Sequence, residues 1–352
     1  MKIKIKAGYF LVLAWFGFFS FSLEAENFSK NQIKNFVVLM EKKHGFNPKD
    51  LEQLLTHTKI ETRVLELMRK PGEAKPWHEY RKIFITENRI NAGIAFWKKY
   101  QKALSLAEKK YQVPAEFIVA ILGVETFYGK HTGGFPVLGA LATLAFCYPP
   151  RAEFFKKELE EFLLLVQEEN LEKRKILGSY AGAMGMPQFI PSSYRHYAVD
   201  AGSKGRRDLL QNTDDIVFSV ANYFKSHGWE AGLPVAFMAR GAGQTDQIRL
   251  EWDKDKGSKP KYSIGQIKTL GLSLSSQENY KLTNKKLSVL GFKQPHGTEY
   301  WLGTHNFYVI TRYNRSINYA MAVYQLADKI KRGIDHDVKN KNNNQNRGQT
   351  QH

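Results

Sequence analysis

Residues 114–129 read PAEFIVAILGVETFYG, and this stretch decides the fold. Pro114 stands where a helix can open on a residue whose missing N–H costs least, and Gly129 stands where a C-cap is expected. Between them Ile118, Ile121, Leu122 and Glu125 fall at i, i+3, i+4 and i+7, the spacing of one helix face. The spacing therefore predicts a core-facing stripe that carries a carboxylate. Burying an ionised carboxylate alone costs on the order of several kcal/mol, so the group either pairs with a cation or raises its pKa and keeps its proton. Pairing with Arg151 or another base would make Glu125 structural, whereas a retained proton would make it a general acid.

The same helical period extends upstream. From residue 28 to about 111 the pattern is helical, beginning with Ile33, Phe36, Val37 and Met40 on one face. Asn47-Pro48 restarts a second helix, and Pro71-Gly72 and Lys75-Pro76 break the pattern. A longer helix resumes near Thr86 with Ile90, Ile94, Trp97 and Leu104, and Val113-Pro114 ends it. Downstream the character changes between about residues 233 and 308. Short β-rich pieces, Val235-Ala236-Phe237-Met238 and Phe307-Tyr308-Val309-Ile310 among them, alternate there with Gly-, Lys- and Asp-rich turns. Helix returns at 317–330. The segment 338–352 is rich in Asn, Gln and Lys without apolar period, and is expected to be disordered.

The organisation these signals predict is α+β and mainly α. It has a leader at 1–25, a helical domain at 26–112, a core at 113–232 and a small β-containing subdomain at 233–311. A C-terminal helix at 312–335 packs on the core and the helical domain, and a disordered tail fills 336–352. At 352 residues, 43% hydrophobic and 13% aromatic, the chain has ample material for a sizeable core.

The leader has a basic start, Lys2, Lys4 and Lys6, then an apolar run over 9–23 that is short for a membrane span. Small-residue cleavage sites end at Ala25 and at Ser22, and an uncleaved inner-membrane anchor is the alternative. Export to the periplasm follows as the expectation. Cys147 is the only cysteine, so no intramolecular disulfide can form and no cysteine near the cleavage region can carry a lipid. The formal charge of +18 suits nucleic acid, an anionic membrane surface or a polyanionic wall polymer. Export and the dispersed placement of the basic residues argue against nucleic acid.

Several motifs stand in order along the chain. They are Tyr80-Arg81-Lys82, Gly123-Val124-Glu125-Thr126, Leu141-Ala142-Thr143-Leu144, the small-residue segment 178–194 (GSYAGAMGMPQFIPSSY), Val220-Ala221-Asn222-Tyr223-Phe224, Arg312-Tyr313-Asn314 and Tyr319-Ala320-Met321-Ala322-Val323. In these the chain resembles the lytic murein transglycosylase B family over about residues 28–330. The resemblance implies a lysozyme-like core flanked by a helical domain and a small β domain, and cleavage between N-acetylmuramic acid and N-acetylglucosamine. It implies that Glu125 is the catalytic acid/base and that Ser179 hydrogen-bonds that carboxylate and orients substrate. Tyr80, Gln188, Tyr223, Tyr313, Asn314 and Tyr319 match groove-lining positions. Amide and phenol groups suit such a role, because sugars offer hydroxyls and acetamides at their edges and apolar ring faces to aromatic rings.

Most glycosidases flank the scissile bond with two carboxylates. Asp200, Asp208, Asp214 and Asp215 lie in or beside a polar Gly-containing loop, where caps and turns are the commoner fate. A mechanism with one carboxylate therefore fits better, the sugar's own C6 hydroxyl replacing water, and it requires no metal or organic cofactor.

Two departures from the family are visible. Tyr148-Pro149 is followed by Pro150 and then Arg151, so Arg151 alone remains of two successive arginines expected to contact substrate. Some members bind calcium in a loop that follows Ala-Val-Asp, and Asp200 matches its start, but Gly202 and Lys204 stand where oxygen ligands belong, so no metal is expected. The expected partners are peptidoglycan glycan strands and other cell-wall enzymes, with a monomer as the default. A hydrolytic muramidase of the same fold and a non-catalytic peptidoglycan-binding scaffold stay open as alternatives.

Overall fold

A computed structural model of the protein describes residues 28–69, 75–241, 259–275, 282 and 284–349. The leader expected at 1–25 lies outside the described residues, and no described helix is long and apolar enough to cross a membrane. The architecture is mainly helical with two small sheets.

The amino-terminal part is helical because strong starts alternate with strong stops. Helix α1 (Lys30–His44) buries Ile33, Phe36, Val37 and Met40, as their spacing predicts, and ends at Gly45 in the left-handed conformation. Asn47 caps α2 (Pro48–Thr56) by accepting the Lys49 and Asp50 N–H groups at 3.0 and 3.2 Å. Helices α3 (Thr62–Arg69) and α4 (Trp77–Phe84) follow. The single long helix expected from Thr86 is in fact two, α5 (Glu87–Lys99) and α6 (Gln101–Tyr111), with the bend at Tyr100. Burial explains the break. Both halves pack on α7 (Ala115–Thr126), and α6 also lies along α11 (Thr213–Ser226).

Helix α7 is the hub of the fold. Every residue from Ala115 to Val124 except Glu116 is buried, so the predicted stripe understates how much of the helix is enclosed. The helix stops earlier than Gly129. Phe127 is the left-handed cap at φ 52°, and Tyr128 and Gly129 continue at φ 58° and 88°. Left-handed conformations at non-glycine residues cost on the order of 1–3 kcal/mol each and persist only where surroundings hold them. Here Tyr128 is the holdfast. Its ring runs between α5 and α7, and its hydroxyl donates to the Arg89 carbonyl at 3.0 Å. It passes over Gly93 and Gly123, where an added Cβ would stand 2.4 and 2.5 Å from that hydroxyl oxygen. Gly123→Ala is therefore expected to cost about 1–3 kcal/mol through overpacking, read as a lower urea midpoint. An unchanged midpoint would mean the slot is not tight.

Beyond this turn, β1 (Phe135–Pro136) pairs antiparallel with β2 (Leu177–Gly178). The buried α8 (Val137–Cys147), a 3-10 turn at Pro149–Arg151 and α9 (Ala152–Glu168) fill the chain between them. The small-residue segment then folds on itself, with Met184 bridging both Gly178 and Phe189, before α10 (Pro191–Tyr197) and α11.

The second sheet has the order β3-β5-β4, antiparallel throughout, from β3 (Ala236–Met238), β4 (Ser288–Gln294) and β5 (Gly297–Gly303). With α12 (Ile264–Thr269) it encloses its own cluster, including Ile267, Leu272, Leu287, Val289 and Leu302. The strand expected at Phe307 to Ile310 is instead part of α13 (His305–Tyr313). The Thr304 hydroxyl caps it by accepting the Asn306 N–H at 3.1 Å, and Asn306, Phe307, Val309 and Ile310 bury themselves at helical spacing. The last helix, α14 (Ile317–Gln349), packs on α4, α5 and α7 and runs far past Ile330. The tail expected to be disordered from 336 is helical to Gln349. The i,i+4 pairs Arg332–Asp328 and Lys331–Asp335 brace the helix just ahead of this segment, and Lys98 of α5 pairs with Asp337 at its start.

Candidate active site

Glu125 is the penultimate residue of α7 and is half-buried, so its carboxylate lies at the negative end of the helix dipole. Burial pushes its pKa up to about 7, opposed by a hydrogen bond from Tyr319. That bond is short, the Tyr319 hydroxyl donating to Glu125 Oε1 at 2.5 Å from α14. Pairing with Arg151 does not occur. The Arg151 guanidinium lies over the rings of Phe154 and Phe155 at 4.3 and 5.2 Å, beyond the far end of α8 from β1.

Two further phenols reach the carboxylate's field. Tyr80, on α4, has its pKa raised to about 12, by burial first and then by the charge of Glu125. Tyr313, at the end of α13, is raised further by the same two causes, and Tyr319 likewise. All three stay protonated at neutral pH, Tyr319 giving its proton to Glu125 and Tyr313 giving its own to a backbone carbonyl of the second wall. Three elements distant in sequence thus converge on one acid.

The small-residue segment forms a second wall. The Tyr313 hydroxyl donates to the Pro187 carbonyl at 2.5 Å, which fixes α13 to this segment. Gln188 adopts φ 51°, and its side-chain N–H groups go to the carbonyls of Thr132 and Gly185 at 3.0 and 2.9 Å. Its side-chain oxygen is thereby oriented by the fold. Ser179 Oγ accepts the N–H groups of Ala181 and Ala183 at 3.3 and 3.0 Å, so its described bonds are to its own turn, while Glu125 is bonded to Tyr319. Tyr223 is buried beneath this wall. Its ring packs on Tyr313 at 4.8 Å and its hydroxyl donates to the Arg312 carbonyl at 2.7 Å, which makes it a support for Tyr313. Asn314 is exposed and caps the Ser316 N–H at 3.2 Å, at the turn into α14.

Two residues escaped the sequence reading. Thr126, next to Glu125, donates to the Met186 carbonyl at 2.9 Å and accepts the Gly129 N–H at 3.0 Å, tying the end of α7 to the second wall. Arg89 lies between the rings of Phe84 and Phe127 at 5.1 and 5.0 Å, and Phe84 packs on Tyr80. A threonine directly after the acid was the only available hint of the first, and the second had none.

Other buried carboxylates among the described residues are committed elsewhere. Glu158 accepts the Ser192 N–H and hydroxyl, Glu160 pairs with Lys43 and His44, and Glu169 holds Arg207. The aspartates of the loop after α10 bind that loop's own amides. Glu158 is likewise held by neutral donors with its pKa raised by burial, and Glu125 differs in that its donor is a phenol and two further phenols lie within reach of its charge.

A family model described as the Transglycosylase SLT domain matches residues 29–328. The chain is 43% identical over 307 residues to the membrane-bound lytic murein transglycosylase B of Escherichia coli (strain K12), spanning 84% of this chain and 82% of that one. The structure of the soluble lytic transglycosylase SltB1 from Pseudomonas aeruginosa matches with a TM-score of 0.79 at 44% identity, over 86% of this chain and 99% of that one. Slt35 of Escherichia coli, solved in complex with calcium, matches with a TM-score of 0.78 at 43% identity, over 86% and 93%. Fold and site together define a lyase acting on peptidoglycan, with a lysozyme-like core. Within that class the chain belongs to the lytic murein transglycosylase B family.

Proposed function

We propose that Glu125 alone runs both halves of the cleavage between N-acetylmuramic acid and N-acetylglucosamine. With a pKa of about 7 it is substantially protonated at neutral pH, which is the state a general acid needs. Its proton goes to the glycosidic oxygen as the bond from that oxygen to the muramic acid C1 breaks, the bonding pair leaving with the N-acetylglucosamine hydroxyl. The carboxylate then takes the proton of the C6 hydroxyl while the C6 oxygen bonds to C1, which closes a 1,6-anhydro ring. No water is consumed, and Glu125 ends as it began.

Tyr319 holds the carboxylate in place and supports its charged form between the two steps. Tyr80, Tyr313, Gln188 and Asn314 would present donors and acceptors to the sugar edges, with Tyr223 supporting Tyr313. Ser179 has a hydroxyl hydrogen left to donate, toward Glu125 or an acetamide, once its oxygen has accepted two amides. Arg151 would serve only a ligand long enough to extend along α8, such as a stem peptide's carboxylate. The basic charge favours retention on an anionic wall, and the expected leader would deliver the chain to the periplasm. The observation that carries the reading is a carboxylate at the end of α7 whose described bond is to the neutral Tyr319 hydroxyl, with Tyr80 and Tyr313 near enough to feel its charge.

Digestion of purified peptidoglycan, with the released muropeptides resolved by mass spectrometry, tests it. Anhydro-muramyl ends are expected. Reducing ends would mean water reaches C1 first, and sedimentation with the wall without release would mean a binding scaffold.

A further inference from the structure

The loop between α10 and α11 keeps the frame of a calcium-binding loop of the helix–loop–helix type. Counted from Asp200, the first position is a carboxylate, the sixth is Gly205 in the left-handed conformation at φ 82°, and the ninth is Asp208. Slt35, which has the same fold, was solved in complex with calcium. The donors that would complete such a site are missing here. Gly202 and Lys204 occupy the third and fifth positions, where side-chain oxygens bind, and Gln211 occupies the last, where a bidentate Glu closes the shell.

What stands in their place is visible. The Lys204 stem folds back across Gly202, so that a Cβ added at Gly202 would lie 3.2 Å from its Cε and 3.4 Å from its Cγ. Lysine methylenes thus cover the place from which a third-position ligand would project. The acidic groups are satisfied by the chain itself. Asp200 Oδ1 accepts the Gly202 N–H at 3.2 Å and Oδ2 the Gly205 N–H at 2.7 Å. Asp208 Oδ1 accepts the Leu210 and Gln211 N–H groups at 3.0 and 2.9 Å, and Oδ2 pairs with Arg206 at 2.9 Å. Buried Asp215, from α11, accepts the Ala201 and Asp208 N–H groups, each at 2.9 Å. Every oxygen of these three carboxylates has a donor from the chain. The loop also carries its own cations, of which Arg206 pairs with Asp208 while Arg207 turns away to Glu168 and Glu169.

We propose that this loop holds its fold without a metal ion, its own amides and cations occupying the acidic groups that calcium would otherwise gather. The inference is independent of the chemistry assigned to Glu125. It is tested on the full chain by thermal unfolding in EDTA and in millimolar calcium chloride, and by calorimetric titration with calcium chloride. The expected result is one Tm in both solutions and no one-to-one binding heat. A one-to-one complex of the unaltered chain, with a Tm rise lost in Asp200→Asn, overturns the proposal. The combination Gly202→Asp, Lys204→Asp and Gln211→Glu restores the missing donors and is expected to make Tm rise with calcium. If it folds and still ignores calcium, the retained frame is refuted, and the result on the unaltered chain decides the proposal should it not fold.

Discussion

Glu125→Gln is expected to release anhydro-muropeptides on the order of 10²–10⁴-fold more slowly than the unaltered chain, while remaining folded. Glutamine keeps the shape and still accepts the Tyr319 hydroxyl, but it has no proton to give and cannot take one. The same substitution reads out the pKa. The folded state holds the Glu125 proton until about pH 7, whereas the unfolded carboxyl loses it near the ordinary value of 4.5. Between those values the folded state binds more protons than the unfolded one, so stability falls as pH rises, and it levels off above about 7. Glutamine is exempt from this loss. The Tm advantage of Glu125→Gln should therefore be smallest near pH 4 and grow up to about pH 7, as followed by scanning calorimetry. A constant difference across that range would mean Glu125 titrates normally, and undiminished turnover by the variant would remove it from the mechanism.

Tyr319→Phe is expected to slow release by on the order of tenfold, the worth of one hydrogen bond to a charged group, and to shift the pH profile in a diagnostic direction. The Tyr319 hydroxyl lowers the pKa of Glu125. Its loss should raise that pKa and move the alkaline limb of the rate profile to higher pH, although fewer molecules complete the second, base-assisted step. General loosening of α14 would slow the reaction without moving the limb upward. A stationary or downward-moving limb would therefore show that the hydroxyl does not act on the carboxylate.

What the sequence revealed follows from how local each determinant is. The four buried residues of α1 and the buried face of the helix that carries Glu125 were legible because apolar period, and its violation by a carboxylate, are properties of one short window. The break at Tyr100 was not, since α6 packs along α11, an element far along the chain. Phe307 to Ile310 misled because a short run of aromatic and β-branched residues carries no period of its own, and the Thr304 cap decided the outcome. The true end of α7 depends on a slot between Gly93 and Gly123 that two separate helices build. For the site, a carboxylate on a core-facing stripe could be read from spacing, whereas its role as an acid and the place of each tyrosine came from family resemblance, since a tyrosine in a helix has no pattern that marks it as a donor. The Tyr319 partnership spans 194 residues, and no window of sequence contains both ends.

That span sets an order of events during synthesis. Glu125 and the helices around it emerge early, but the hydroxyl that meets the carboxylate arrives on α14, after nearly all the chain has been made. A nascent or prematurely terminated polypeptide carries the acid without its donor and without the helix that covers α4, α5 and α7. The pairing of acid and donor thus forms only once α14 has been made.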